Sequence, residues 1–336
     1  MANEDLKRLY DVLEVTTARL HQELKTSYLD AAIESGENLM NQAVHQEDGL
    51  PGAKTVAWLQ AQYAQANWHD YSPEELRQAL QLVLVKAVQV DGIEPNKQVT
   101  PDAMASLATF VVTTFYPKIP AELTVVDPTV GSGNLLFAVM NQLRNAAKIT
   151  VHGLGIDNDE TLLAFAGMSS ALQQLDVQLF HQDALDSGLV QDADIVVADL
   201  PVGYYPLDER AKDFATAAKT GHSYAHHLLI EQGLKLLKPG GLGLFYVPAG
   251  VFQTDEATGL TAWMTKAAYF QGLLNLPEAF FANHDAQKSL LVLQKPGAAA
   301  VQVPQVLLGT FPDLSDRQAF GEFIAKVKAW AQTNLQ

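Results

Sequence analysis

The chain has 336 residues, with 22 Lys and Arg against 38 Asp and Glu, so its formal net charge is −16. Hydrophobic residues make up 48% of it, which excludes a disordered chain, and the length predicts two domains of about 100–200 residues. The absence of cysteine excludes disulfide scaffolds, thiolate metal sites and cysteine nucleophiles.

The charge and the hydropathy pattern also limit location and partners. No apolar run reaches the ~18 residues of a membrane span, and the first residues are polar and mixed in charge, unlike a signal peptide. We therefore expect a cytoplasmic protein with no membrane partner. Because phosphate neutralisation supplies most non-specific affinity for nucleic acid, we expect the isolated chain to bind DNA weakly, with less binding as salt rises.

The first part of the chain has helical patterns. Apolar residues recur every three or four positions from Leu6 to Leu24, which places them on one helix face. A later helix is predicted to begin at Ser72, because serine caps helices and Pro73 suits the first helical position, and to end near Gly92. These patterns predict a small all-helical domain over residues 1–95.

From about residue 100, short β-branched runs alternate with helical patterns. This alternation predicts an α/β fold, a doubly wound and mostly parallel sheet with helices on both faces, over residues 96–311. The last two runs lack a long helix between them and are expected to form an antiparallel pair at the sheet edge. A further strand is expected within 303–311, followed by a C-terminal helix over 312–336. The runs lie at 123–127, 151–157, 177–180, 194–199, 241–247, 273–276 and 289–294.

The first strand leads into a glycine turn, DPTVGSGNLL, at residues 127–136. Gly131 and Gly133 allow a close approach of a ligand to the backbone. Leu136 replaces the third glycine of the dinucleotide fingerprint, and the turn begins with Asp127-Pro128. A pyrophosphate needs bare amides at a helix end, whereas a cationic sulfonium cofactor with an amino-acid tail can use nearby carboxylates.

Acidic residues end the next three strands. Asp157 is placed to accept hydrogen bonds from ribose hydroxyls, and Asp183 to accept from the amine of an adenine ring. Asp199 opens the loop ADLPVGYYP, in which Tyr204 and Tyr205 offer flat faces for stacking a ring.

Taken together, these motifs resemble the class I S-adenosylmethionine-dependent methyltransferases, specifically the adenine-N6 DNA methylases of the type I modification-subunit kind. The resemblance covers about residues 98–295, and it implies a Rossmann-like methyltransferase domain with S-adenosylmethionine as cofactor and adenine in DNA as the first-choice substrate. Thr100-Pro101 matches the motif before the first strand, and ADLPVGY falls on the catalytic Asp/Asn/Ser-Pro-Pro-aromatic motif. The implied cofactor-binding residues are Thr100, Asp127, Pro128, Gly131, Gly133, Asn134, Asp157, Asn158, Asp183, Ala184 and Asp199.

The resemblance also implies catalytic roles. Asp199, with Pro201, would accept hydrogen bonds from the target amine, and Tyr204 or Tyr205 would stack on a flipped base. Here Leu200 replaces the first proline of the motif, and Val202 stands where an aromatic residue is expected. A methyltransferase acting on RNA, protein or a small molecule therefore stays open, as does a degenerate cofactor-binding interaction module. No target-recognition domain is evident, so recognition of DNA would come from a partner protein.

Three histidines precede or begin a predicted helix. His222 and His226 have the i, i+4 spacing of two metal ligands, and His227 follows directly. Without cysteine or an HExxH motif, we interpret them as a helix start that faces loop or solvent, and we predict no metal site.

Overall fold

A computed structural model describes residues 2–94, 99–116, 118–186, 191–254, 256–281, 286–313 and 315–335. Its N-terminal part is helical, as predicted. The helix predicted from Ser72 has a complete capping box, in which the Ser72 hydroxyl and the Glu75 carboxylate satisfy each other's backbone amides, and Gly92 ends it in the left-handed region. The helices of this part are α1 (Ala2–Leu24), α2 (Tyr28–Asn41), α3 (Ala53–Tyr63) and α4 (Pro73–Asp91).

The second part alternates helices and strands. The structure confirms the predicted doubly wound α/β fold, with a four-residue β8 inside the predicted 303–311 and a long final helix. Its elements are α5 (Asp102–Phe115), β1 (Glu122–Asp127), α6 (Asn134–Ala147), β2 (Thr150–Asp157), α7 (Glu160–Leu172), β3 (Val177–His181), β4 (Ala193–Asp199), α8 (Asp208–Ala211), α9 (Ala225–Leu236), β5 (Leu237–Pro248), α10 (Ala257–Ala267), β6 (Tyr269–Asn275), β7 (Lys288–Gln294), β8 (Leu307–Thr310) and α11 (Arg317–Asn334).

One sheet contains all of these strands, in the order β3-β2-β1-β4-β5-β7-β6-β8. β7 runs antiparallel to both β5 and β6, as the short connection between the last two runs predicted. The expectation that this pair forms the sheet edge is wrong, because β8 pairs in parallel with β6 and lies outside it. Since β1 to β5 are parallel, their carboxyl ends meet at one edge of the sheet. Among the described residues, no helix is both long and apolar enough to cross a membrane.

The helical part packs on the second part through α7. Phe165 and Met168 of α7 are buried in the same apolar cluster as the cores of α1, α2 and α4. Gly36 makes this close approach possible, since a β-carbon there would lie 2.3 Å from the sulfur of Met168. The helical part therefore covers one face of α7 and belongs to the structure that carries the strand ends.

A buried arginine joins the two parts. Arg77 of α4 is 2% exposed, and its guanidinium makes paired hydrogen bonds of 2.6–2.9 Å with Glu74 and with Asp102. It also donates to Asn134 Oδ1 at 2.6 Å, at the first residue of α6. Burial opposes ionisation of Asp102, but the hydrogen bonds and charge of Arg77 outweigh it and lower the pKa of that carboxyl.

We predict that Arg77→Met destabilises the protein by about 2–4 kcal/mol, below the full cost of breaking a buried ion pair because both carboxylates keep some solvent contact. Urea unfolding measures this free energy. Arg19→Met is the matched control, since Arg19 is 48% exposed and pairs with Glu23 within the helical part, so about 1 kcal/mol or less should be lost. Equal losses in the two variants would contradict a special role for Arg77.

Candidate active site

The predicted glycine turn lies between β1 and α6. Gly131 and Gly133 have positive φ angles of 49° and 81°. A β-carbon at Gly133 would lie 2.3 Å from the ring of Phe137, so both backbone shape and packing require glycine there. Val130 N–H donates to Ile156 O at 3.0 Å, which holds the turn against the end of β2.

Asp157 ends β2 and is bound to this turn. Its Oδ2 accepts from Gly131 N–H at 2.7 Å, and its Oδ1 accepts from Asp159 N–H at 2.9 Å. Burial raises its pKa above the ordinary value. Because each carboxylate oxygen can accept a second hydrogen bond, both keep capacity for ribose hydroxyls. Asn158 follows directly, and its carbonyl lies 3.3 Å from His181 Nε2.

Asp183 follows β3 and is held by three donors. Oδ1 accepts from Leu185 N–H at 2.9 Å, and Oδ2 accepts from the Tyr205 hydroxyl at 2.5 Å and from Arg210 at 2.9 Å. Burial, with the adjacent carboxylate, raises the pKa of Tyr205 to about 12. Tyr205 is 8% exposed, so it is not the exposed ring that the sequence left as one option for stacking. Ala184, between the strand end and this network, is buried.

Thr100 and Asn134 connect the turn to the end of β4. The Thr100 hydroxyl donates to Asp199 Oδ2 at 2.8 Å, and Asn134 Nδ2 donates to Thr100 O at 2.6 Å. Asn134 Oδ1 accepts a hydrogen bond from the guanidinium of Arg77. Asn134 therefore links the helical part to Thr100, which in turn holds Asp199.

Asp127 is the most buried of the site's acids, at 1% exposed, and Pro128 beside it is buried too. Its Oδ1 accepts from Thr129 N–H at 3.0 Å. Burial, followed by the charges of Asp157 and Asp199, raises the pKa of Asp127 to about 8. A nearby cation would favour the ionised form of Asp127, so a site with these three acids suits a cationic ligand, which is the character of a sulfonium cofactor with an amino-acid tail.

Asp199 ends β4 and meets a lysine that the sequence analysis missed. Lys288, the first residue of β7, donates to Asp199 Oδ1 and, at 3.3 Å, to the carbonyl of Leu200. Asp199 and Lys288 are each 19% exposed. The one local signal for Lys288 was a cation at the start of a strand whose centre, residues 290–293, is apolar. Its partner is 89 residues away in the sequence.

The loop after Asp199 carries the predicted stacking residue. Tyr204 is 56% exposed and lies parallel to Tyr224, with ring centroids 4.7 Å apart and an interplanar angle of 15°. Val202, in the aromatic position of the motif, is 47% exposed, and Pro201 before it is half-buried. Tyr204 therefore presents a flat surface near the strand ends, although one of its faces already contacts Tyr224.

The N-6 DNA methylase family matches residues 79–313, and a YtxK N-terminal helical domain matches residues 7–88. The chain belongs to the N-6 DNA methylase family. This membership confirms the predicted resemblance and the prediction of a methyltransferase that uses S-adenosylmethionine.

Individual relatives agree with this result. The protein YtxK of Bacillus subtilis (strain 168) is 36% identical over 98% of both chains. A crystal structure of a proposed class I S-adenosylmethionine-dependent methyltransferase from Listeria monocytogenes is also 36% identical, with a TM-score of 0.91 over 98% of this chain and 99% of that one. The type I restriction-modification methyltransferase subunit of Streptococcus thermophilus shares the fold at 17% identity, with a TM-score of 0.64 over 98% of this chain and 74% of that one.

This N-6 DNA methylase family member brings the predicted residues together at one edge of its sheet. Thr100, Asn134 and Asp199 form one hydrogen-bonded chain, and Asp127 and Asp157 flank the glycine turn. Their individual roles toward the cofactor and the acceptor stay predictions.

The histidines differ from the interpretation of their sequence. His226 and His227 are 4% and 2% exposed, so the expectation that they face loop or solvent is wrong for these two. The first turn of α9 packs into the core, and His226 stacks on Tyr224 with centroids 5.1 Å apart. Burial lowers the pKa of His226 to about 3 and that of His227 to about 4, so both are neutral at pH 7. His222 is exposed and bonds to Asp208, and among the described residues no group of three or more His, Asp or Glu could hold a metal ion.

The buried acid gives a prediction about pH. The unfolded chain ionises Asp127 near about pH 4, whereas the folded protein does so near pH 8. Between these values the unfolded state binds fewer protons, so the free energy of unfolding should fall as the pH rises. Asp127→Asn keeps the acceptor for Thr129 but cannot ionise, and it should gain stability relative to wild type between pH 5 and pH 8.

Urea unfolding of the cofactor-free protein at the two pH values measures this difference. Glu209→Gln is the control for loss of one carboxylate, since Glu209 is 88% exposed on α8. The same pH dependence for Asp127→Asn and wild type would mean that Asp127 does not titrate in this interval.

Proposed function

We propose that this methyltransferase transfers a methyl group to the exocyclic amine of adenine in DNA, with recognition of the target supplied by a partner protein. One observation carries the proposal: two acceptors at the end of β4, Asp199 Oδ1 and Leu200 O, both receive hydrogen bonds from one amine, that of Lys288. An adenine amine has two N–H donors and could use the same pair of acceptors.

The residues of this edge would act mainly by positioning. With its two N–H groups bound to Asp199 and Leu200, an amine nitrogen is held in a fixed orientation beside the glycine turn. Thr100 fixes the carboxylate of Asp199 from the other side, at 2.8 Å. When bound, S-adenosylmethionine supplies the electrophilic methyl group. Orientation of the two reactants and the carboxylate's stabilisation of positive charge on the nitrogen would provide most of the acceleration.

Binding of the cofactor would rest on the acids of the first three strand ends. Asp157 and Asp183 retain acceptor capacity for ribose hydroxyls and an adenine amine. Asp199 is a carboxylate, and a nearby cation would also favour ionisation of Asp127, whose pKa is raised to about 8 mainly by burial. Both effects would favour a cationic cofactor over its neutral analogue.

Two observations support DNA as the substrate. The chain belongs to the N-6 DNA methylase family, and the exposed ring of Tyr204 could stack on a flipped base. The net charge of −16 works against DNA binding by this chain alone. A modification subunit of a proposed type I restriction enzyme from Vibrio vulnificus shares the fold at 16% identity, with a TM-score of 0.61 over 83% of this chain and 62% of that one. Recognition through a partner protein, as a type I system uses, would reconcile the fold with this charge.

A second candidate is methyl transfer to an amine outside DNA, in RNA, protein or a small molecule. Val202 favours it, because an exposed valine cannot stack a base as an aromatic ring does. The contact of Tyr204 with Tyr224 favours it as well, since one stacking face is already used.

The acceptor role of Asp199 gives the first test. Asp199→Ala should lower turnover by about a hundredfold or more while the affinity for S-adenosylhomocysteine stays nearly constant, because the lost contact is with the acceptor. Asp199→Asn keeps one acceptor oxygen and should lose less. Transfer of labelled methyl groups to adenine-containing DNA, with RNA and protein substrates in parallel, measures turnover. Full activity of Asp199→Ala on any substrate would refute the role of this carboxylate.

Tyr204 separates the two candidates. If a base stacks on it, Tyr204→Ala should raise the KM for the substrate by a factor equivalent to about 1–3 kcal/mol, with turnover at saturation less affected. Tyr204→Phe is the matched control, since it keeps the ring and removes only the hydroxyl. Wild-type kinetics for Tyr204→Ala on a proven substrate would mean that no base stacks there, and would favour an acceptor outside nucleic acid.

A further inference from the structure

Lys288 lies where the substrate's amine should be. Its Nζ donates to Asp199 Oδ1 and to Leu200 O, which are the two acceptors that the proposed function assigns to the incoming amine. β7 fixes the starting point of this side chain, because Lys288 pairs with Pro248 at the end of β5. Lys288 therefore reaches Asp199 at the end of β4 from β7, two strands away, across the end of β5.

We propose that Lys288 is a specificity-determining residue: its own amine closes the acceptor position, and a substrate enters only by displacing it. This inference rests on the proposed function, because it needs Asp199 and Leu200 to be the acceptors for a substrate amine. Lys288 then does more than neutralise a carboxylate, since it sets which amines can compete for the position.

Lys288 and the substrate amine compete for Asp199 Oδ1 and Leu200 O, and a weakly bound amine is at a disadvantage. Lys288 is an ammonium attached to the protein, and charge-assisted hydrogen bonds are about twice as strong as neutral ones. Asp199 and Lys288 are both largely removed from water, so their separation is not well compensated by solvent. A neutral aromatic amine cannot overcome this with its two hydrogen bonds alone.

A successful acceptor must therefore bring binding energy from outside the amine. The exposed ring of Tyr204, on the same loop as Leu200, is one surface that could supply it. Small amines lack such a contact and would be excluded. The apparent affinity of any acceptor falls with the fraction of molecules in which Lys288 has left the position.

Binding of adenosine with the cofactor pocket saturated by S-adenosylhomocysteine tests the inference. Lys288→Met keeps most of the side-chain volume and removes the amine, and it should bind adenosine about tenfold more tightly if the position is open in about a tenth of wild-type molecules. Lys288→Arg keeps a cation beside Asp199 and should bind adenosine as weakly as wild type. Lys266→Met, on the exposed surface of α10, controls for the loss of one positive charge. Isothermal titration measures both ligands.

The affinity for S-adenosylhomocysteine should be the same in all variants, which shows that each is folded. Tighter adenosine binding by Lys288→Met alone supports the inference. Equal or weaker adenosine binding by Lys288→Met than by wild type overturns it and leaves the proposed function standing. If adenosine binds to neither wild type nor Lys288→Met, the position does not accept adenine, and the proposed function fails together with the inference.

Discussion

Burial of acids at the carboxyl edge of the sheet is the constraint on which the site depends. Burial raises the pKa of Asp127, and the nearby charges of Asp157 and Asp199 raise it further. Each acid needs compensation, and each finds a different kind: backbone amides for Asp157, Thr129 for Asp127, and Lys288 with Thr100 for Asp199. A cationic cofactor would stabilise the ionised form of Asp127, so the burial of this acid is also a source of selectivity for a sulfonium.

The helical part takes part in this arrangement through one residue. Arg77 donates to Asn134, Asn134 donates to Thr100, and Thr100 donates to Asp199. The orientation of the Asp199 carboxylate is thus linked to the guanidinium of Arg77, a residue of another helix that is 2% exposed. Since a buried cation with three acceptor groups has few alternative positions, Arg77 restricts the movement of Thr100 more than a solvent-exposed pair would.

Local signals in the sequence were enough to predict the fold and the positions of the strand-end acids. Each of these signals, a glycine turn after a strand or an acid at a strand end, spans only a few neighbouring residues of the sequence. Parallel pairing of the strands then brings these residues to one edge of the sheet. Partners distant in sequence could not be predicted: Lys288 with Asp199, Arg77 with Asn134, and the Tyr205 hydroxyl with Asp183. Each depends on which side chains the folded sheet places side by side. Burial of His226 was missed for the same reason, since polar residues at a helix start are usually exposed.

The two departures from the catalytic motif are not chemically equivalent. At position 200 the acceptor that we propose is the backbone carbonyl, which leucine retains, and the Leu200 side chain is fully buried in the core. Its N–H donates to Tyr246 O at 3.1 Å, so the peptide is held in place without proline's fixed angle. At position 202 the side chain itself would contact the acceptor, and the valine found there lacks the flat ring. The two oxygens that we propose as amine acceptors are therefore retained, while the proposed ring-binding position has changed. The open question about the substrate is thus the shape of the molecule that carries the amine.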